Sequence, residues 1–309
     1  MTDPGPGSDP ASNPTPGVPF LPGKPSRPLL HLALLAATLW TTLIAGSLFH
    51  AENSPPSDQW ESIVAHPSRW LDGLPYAVSV LLILLAHEMG HYFACRYYRI
   101  PASLPYFLPG LPILGTFGAF IRIRGVVPSR KALFDVGIAG PLAGFAVAIP
   151  IFIYGMSHSR IIPVSEAATS EFFLGFPLLF LGALPWFFPS VPHGTVLSLS
   201  PYLSAAWVGM LATSLNLLPA GQLDGGHLCY AISRKLHARV SRGTLVAVIL
   251  LGALYRAWLV WAVALLFLGE RHPRVLDEDT PLSGGRKALA VLALVIFLLS
   301  FMPVPIELR

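Results

Sequence analysis

The chain has 309 residues, 53% of them hydrophobic and 12% charged, with a mean hydropathy of +0.61. Soluble domains carry about a quarter charged residues, so a water-soluble globule is excluded. The net charge of +4 is too small and too scattered to make nucleic acid a partner. The two cysteines, Cys95 and Cys229, lie in or beside apolar runs and build neither a disulfide framework nor a cysteine-based zinc knuckle.

Residues 1–28 hold nine of the 31 prolines, interleaved with Gly, Ser and Asn, and cannot bury enough surface to order themselves. The expectation is a disordered Pro/Gly-rich cytoplasmic tail, followed by a membrane-embedded domain over 29–309 with its core at 73–235. Leu29 to Phe49 is long enough to cross a hydrocarbon core of about 30 Å and too long for the apolar part of a signal peptide. Further apolar runs follow at Leu74 to Phe93, Leu133 to Tyr154, Phe172 to Phe188, Tyr202 to Leu218, Leu245 to Leu268 and Ala288 to Met302.

Lys and Arg in short loops orient these runs. Lys24 and Arg27 precede the first, whereas the next loop carries Glu52, Asp58, Glu61 and Asp72 against Arg69 alone. The N-terminus is therefore read as cytoplasmic. The second run returns to Arg96 and Arg99, and Arg122, Arg124, Arg130 and Lys131 follow on the same side. The basic group Arg234, Lys235, Arg239 and Arg242 must also be cytoplasmic, so the Tyr202 run has to start outside. Parity then requires that Phe172 to Phe188 be re-entrant or lie at the outer interface. Arg256, near the middle of the Leu245 to Leu268 run, costs a few kcal/mol in lipid unless paired or wet, which suggests a broken helix or half-membrane hairpin there.

Inside the second run stands His87-Glu88-Met89-Gly90-His91. With ten histidines in the chain, an HExxH pattern arises by chance in about one chain in a hundred. Spacing i, i+4 sets both imidazoles on one helix face, where they can share a zinc ion, and Glu88 lies about 100° around, at the general-base position. Hydrolytic zinc sites take three protein ligands and leave one position open. A third ligand is on offer in Asn216-Leu217-Leu218-Pro219-Ala220-Gly221-Gln222-Leu223-Asp224-Gly225-Gly226-His227, where Pro and Gly interrupt a helix. Such an interruption at membrane depth is tolerated when it is buried in protein or lines a watery cavity. The chemistry leaves both Asp224 and His227 eligible.

HExxH in a membrane helix, followed by Asn216-x-x-Pro219-x-x-x-Leu223-Asp224-Gly225, resembles the site-2 protease family of intramembrane zinc metalloproteases. The resemblance implies that His87, His91 and Asp224 bind one zinc ion per chain, that Glu88 activates water, and that Asn216 positions substrate or stabilises the oxyanion. It leaves His227 a supporting role. Gly115-Thr116-Phe117-Gly118-Ala119-Phe120 and Ala139-Gly140-Pro141 also look like family segments. Residues 157–200 and the stretch after Met302 are too short for the PDZ or CBS modules of many relatives, so a short form is expected.

Between Pro101 and Gly125, prolines and glycines interrupt any helix, and Ile121-Arg122-Ile123-Arg124 alternates with period two as a half-exposed strand does. This reads as a re-entrant β-hairpin whose edge holds an unwound substrate segment by strand addition. Small residues at Ala139-Gly140 and Ala143-Gly144 read as helix packing. Asp135 reads as an acceptor for a ligand imidazole or as a local cap, and Cys95 as packing. The fold expected is an all-α polytopic membrane protein of about six transmembrane helices with the hairpin near the active site. The function expected is intramembrane zinc proteolysis of transmembrane protein substrates in the lipid bilayer, with cutting nearer the cytoplasmic face. A metal-ion transporter using the same ligands, or a catalytically silent scaffold, are the alternatives. Because the tail lacks the Arg- and Ser-rich character of a transit peptide, a bacterial plasma membrane is expected.

Overall fold

The computed structural model describes residues 27–50, 61, 65–165, 172–268 and 275–308. The tail reading for residues 1–26 and most of the acidic loop (Glu52, Asp58) lie outside the described residues. The chain is mostly helical. Helix α1 spans Pro28–His50, a 3-10 turn Pro67–Gly73 leads into α2 at Leu74–Tyr97, and α3 runs over Arg130–Ser157. The Ser129 hydroxyl caps α3 by accepting from the backbone N–H of Ala132. Next come α4 (Leu178–Phe187), α5 (Pro201–Asn216), α6 (Asp224–Ile232), α7 (Arg234–Leu254), α8 (Ala257–Leu268) and α9 (Gly284–Ser300). Four of the described helices are long and apolar enough to cross a membrane: α1, α2 with its 3-10 entry, α3 and α7.

Helix α4 has ten residues, about 15 Å at 1.5 Å per residue, too short for a full crossing. The Leu245 to Leu268 run breaks at its one charged residue: α7 ends at Leu254 and α8 begins at Ala257, with Tyr255 and the exposed Arg256 between them. Helices α7 and α8 fold back on each other, with Val248 and Trp258 both in one buried apolar cluster.

Among the described residues, three two-stranded antiparallel sheets accompany the helices. Strand β1 (Tyr106–Pro109) pairs with β2 (Thr116–Phe120), with Tyr106 opposite Phe120 and a register shift after Leu108. Strands β3 (Arg160–Pro163) and β5 (Thr195–Ser198) pair before α5, and β4 (Phe172–Leu174) pairs with β6 (Ile306–Leu308). A two-stranded β-hairpin is present within Pro101–Gly125, with its strands earlier than the alternation at Ile121–Arg124 suggested. Residues 121–124 continue the hairpin through single bonds, Ser103 N–H to Arg122 O (3.0 Å) and Arg124 N–H to Pro101 O (2.8 Å). Pro101 and Pro105 have no N–H to donate, so no regular ladder forms there.

The main apolar cluster joins α1, α2, α3, α4 and α5 around Tyr76, Val80, Phe152, Phe180, Met210 and Trp207. Helix α1 is stitched to the hairpin. His31 Nδ1 meets Pro105 O at 3.0 Å, the Thr41 hydroxyl donates to Gly115 O at 2.6 Å, and Tyr76 from α2 donates to Leu114 O at 2.7 Å. The rings of His31, Tyr106 and Phe120 stack in series, with centroids 4.1 and 5.3 Å apart. Gly115 adopts φ +74, and a Cβ there would stand 2.6 Å from the Thr42 Cα. Gly118 is also at positive φ, +99, but has open space around it. Gly115→Ala therefore suffers both strain and a backbone clash, and Gly118→Ala strain alone. Thermal denaturation of the purified protein in detergent should show Gly115→Ala melting clearly below Gly118→Ala; equal losses would contradict the close approach of α1 to the hairpin.

Candidate metal centre

Helix α2 carries His87 and His91 one turn apart on the face turned toward α3, both more than nine-tenths buried. The two helices touch backbone to backbone because glycine lines the seam. A Cβ on Gly90 would stand 2.3 Å from Ala139 O, one on Gly140 2.1 Å from His91 Nε2, and one on Gly144 3.1 Å from the His87 Cβ. The small residues of α3 thus do more than pack helices: they make room for both imidazoles. Pro141 inside α3 has no N–H for the Gly137 carbonyl. Just before it, the Val136 carbonyl accepts from His91 Nδ1 at 2.7 Å. That bond places the proton on Nδ1 and turns the Nε2 lone pair of a neutral ring into the site.

Asp224 comes from the other side. Pro219 cannot continue α5, Gly221 takes φ +54, and α6 begins with Asp224 itself at the positive end of the helix. The first turn of α6 lies against the preceding loop, where a Cβ on Gly225 would be 2.1 Å from Leu217 O and one on Gly226 2.5 Å from Gly221 O. From α7, His237 Nε2 reaches Gly221 O at 2.9 Å, and Gly221 N–H donates to the Ser241 hydroxyl at 3.3 Å.

The three side chains converge. His87 Nε2 and His91 Nε2 are 3.1 Å apart, and Asp224 Oδ2 lies 3.2 and 3.3 Å from them. Among the described residues, His87, His91 and Asp224 form the one such group able to hold a metal ion. Donors about 2.0 Å from a tetrahedral zinc stand about 3.3 Å from each other, so the near-equilateral triangle fits that ion. The Asn216 amide points Nδ2 at His87 Nε2, 3.4 Å away. Glu88 belongs to the same wall, 4% exposed, facing the backbone amide of Ile121 just past β2. A cavity of about 190 Å³ opens onto the group, lined also by Phe120, Gln222 and His227.

All five residues singled out by sequence thus meet in one place. His227 lines the cavity but stands outside the donor triangle, and Cys95 packs against Ile100, Ala132 and Val136. Asp135 is a correction: its carboxylate takes Arg286 at 2.6 and 2.8 Å and the Tyr98 hydroxyl, while the imidazole is held by the neighbouring backbone carbonyl. Sequence reasoning missed Val136, Gln222, His237 and Ser241. A histidine in an otherwise basic amphipathic stretch was the only available sign of the last pair.

Residues 75–255 match peptidase family M50. The chain belongs to that family. Among curated relatives, it is 35% identical over 243 residues to "Probable zinc metalloprotease EGY2, chloroplastic" of Arabidopsis thaliana, covering 76% of this chain and 42% of the relative. It is 34% identical over 242 residues to "Probable zinc metalloprotease EGY1, chloroplastic" of the same plant, covering 75% and 43%. With "Probable zinc metalloprotease EGY3, chloroplastic" of Oryza sativa subsp. indica the identity is 27% over 293 residues, covering 89% and 48%. The chain therefore spans less than half the length of these relatives. Their names speak of chloroplasts, so the expected bacterial plasma membrane gains no support; the coarser reading, a membrane protein, fits the four apolar helices.

The seam between α2 and α3 makes a graded prediction for this M50 chain. Gly140→Ala must push the His91 ring away, whereas Gly144→Ala, 3.1 Å from the His87 Cβ, asks His87 to give by only a few tenths of an ångström. Metal analysis after dialysis against a weak chelator should find zinc lost from Gly140→Ala and largely retained by Gly144→Ala. Equal retention would contradict the fit.

Proposed function

We infer that this protein is an intramembrane zinc metalloprotease that hydrolyses peptide bonds in or near transmembrane segments of membrane proteins. The observation that carries the reading is the convergence of His87, His91 and Asp224 to 3.1–3.3 Å beside the buried, non-donor carboxylate of Glu88. His87, His91 and Asp224 hold the ion. When bound, zinc supplies Lewis acidity toward a carbonyl oxygen and a water molecule. Glu88 takes the proton of the attacking water and returns it to the leaving amine. Asn216, against His87, donates its amide hydrogens to the substrate carbonyl as negative charge develops there.

A helical peptide bond is shielded by its own hydrogen bonds, so the substrate has to unwind. Among the described residues β2 pairs with β1 and no further strand, and Ala119, Phe120 and Ile121 line the cavity. The hairpin is re-entrant, and the edge of β2 away from β1 takes the unwound segment by strand addition. Six membrane-embedded elements make up the topology, the crossing helices α1, α2, α3, α5 and α9 and the α7–α8 hairpin, which enters and returns on the cytoplasmic side, within a membrane-embedded domain over 29–309. The N-terminus and the basic connections at 96–131 and 234–242 face the cytoplasm, which puts the cut nearer that side.

A transporter would need a path for the ion and has no use for a carboxylate beside the donors. Three measurements on purified Glu88→Gln separate the readings: zinc content, cleavage of a membrane-embedded reporter, and zinc flux in liposomes. The protease reading expects near-normal zinc and cleavage reduced at least about 100-fold. Unchanged cleavage removes Glu88 from the mechanism, and wild-type zinc flux with no cleavage by the native chain favours transport.

A further inference from the structure

Beyond residue 255, where the family match ends, the chain returns beneath the metal centre. Val275 and Leu282 are buried in one apolar cluster with Phe134 and Ile138 of α3 and with Leu228 and Ala231 of α6. The segment lies beside the start of α3: Leu276 N–H donates to Val127 O at 3.2 Å, Asp277 N–H to Pro128 O at 3.0 Å, and Arg130 N–H to Asp277 O at 3.1 Å.

Two sets of polar contacts then reach the elements that bear the donors. In the first, the Arg130 guanidinium donates to the orphan carbonyls at the end of α6, Ala231 O at 2.8 Å and Ile232 O, and to Glu278 O at 3.0 Å. The Glu278 carboxylate accepts from the Tyr230 hydroxyl at 2.9 Å and from Arg234 at 2.7 Å. Helix α6 has nine residues with Asp224 as its first. Gripping its far end fixes the pivot of a rigid rod whose near end carries the carboxylate. In the second, Arg286 at the start of α9 clasps Asp135 through two nitrogens, at 2.8 and 2.6 Å, and Tyr98 closes the triad. Burial and the Asp135 carboxylate push the Tyr98 hydroxyl up to about 12, so it remains a donor. Asp135 is the residue before Val136, whose carbonyl aims His91.

The geometry points to a brace over residues 275–286 that sets the geometry of the metal donors, with Glu278 a positioning residue for Asp224 and Arg286 a positioning residue for His91. The inference rests on the reading of the His-His-Asp group as the zinc site. Neither brace residue touches the donors. Each acts through one intermediate, the α6 rod or the Val136 carbonyl, and bidentate Arg–carboxylate geometry makes the α9 clasp directional as well as attractive.

The test loads the full chain with zinc in lipid nanodiscs and times zinc release to a chromogenic chelator, well below the melting temperature. Glu278→Ala and Arg286→Ala should each release zinc about tenfold faster or more, on the scale by which supporting residues affect metal affinity. Lys287→Ala, on the neighbouring exposed position, should not. The exchanged pair Asp135→Arg with Arg286→Asp should recover slow release, which a general loss of packing would not. If an alanine variant fails to fold, Glu278→Gln and Arg286→Lys decide, with faster release supporting the brace. Wild-type release rates in the folded Glu278 and Arg286 variants would overturn the brace and leave the zinc site standing. A native chain that takes up no zinc would overturn both.

Discussion

Polar side chains set among apolar helices have to satisfy one another, because neither lipid nor a dry core will do it. That constraint organises this molecule. Two histidines and a glutamate on α2 are each at most 7% exposed, and their partners arrive from three directions: the Val136 carbonyl on α3, Asp224 at the start of α6, and Asn216 at the end of α5. None of these partners could reach unless helix backbones touched. Gly90 against Ala139, and Gly140 and Gly144 against the imidazoles, remove the side chains that would hold α2 and α3 apart. In a membrane, where lipid competes for apolar surface as well as protein does, such small-residue contact is also what makes helices associate.

The hinge of the site is the loop between Asn216 and Asp224. It reverses the chain within seven intervening residues: Pro219 bars α5 from continuing, Gly221 takes the left-handed turn between His237 and Ser241, and Gly225 and Gly226 at the start of α6 leave room for loop carbonyls where a Cβ would stand. The elements outside the matched family stretch grip this core from two ends. Helix α1 holds the hairpin through His31 and Thr41, and residues 275–286 hold α3 and α6 through Glu278 and Arg286.

The sequence made the convergent group legible because much of its signal is local: HExxH needs only helical periodicity, while Pro and Gly at membrane depth marked a stretch in which Asp224 and His227 were both eligible and the family resemblance favoured Asp224. The break at Arg256 was readable for the same reason, since a charge inside an apolar run has to be accommodated where it stands. What stayed hidden is what depends on contact between distant segments. The acceptor for His91 is a backbone carbonyl, which leaves no side-chain signature, so attention fell on Asp135, one residue away. Its true partner, Arg286, lies 151 positions along the chain. Likewise the alternation at Ile121–Arg124 marked the hairpin but not its paired strand, because prolines on the opposite segment withhold the N–H groups a ladder needs. The membrane itself was legible as composition; the host compartment was not, and the curated relatives point away from the bacterial expectation.

X-ray absorption at the zinc edge tests the centre most directly, comparing the native chain with Asp224→Cys. The account predicts a native shell of two imidazoles with oxygen or nitrogen at about 2.0 Å and no sulfur, and a new sulfur shell at about 2.3 Å when residue 224 becomes a thiolate. An unchanged shell in that variant would mean that the aspartate never touches the ion, and the account would be wrong at its root.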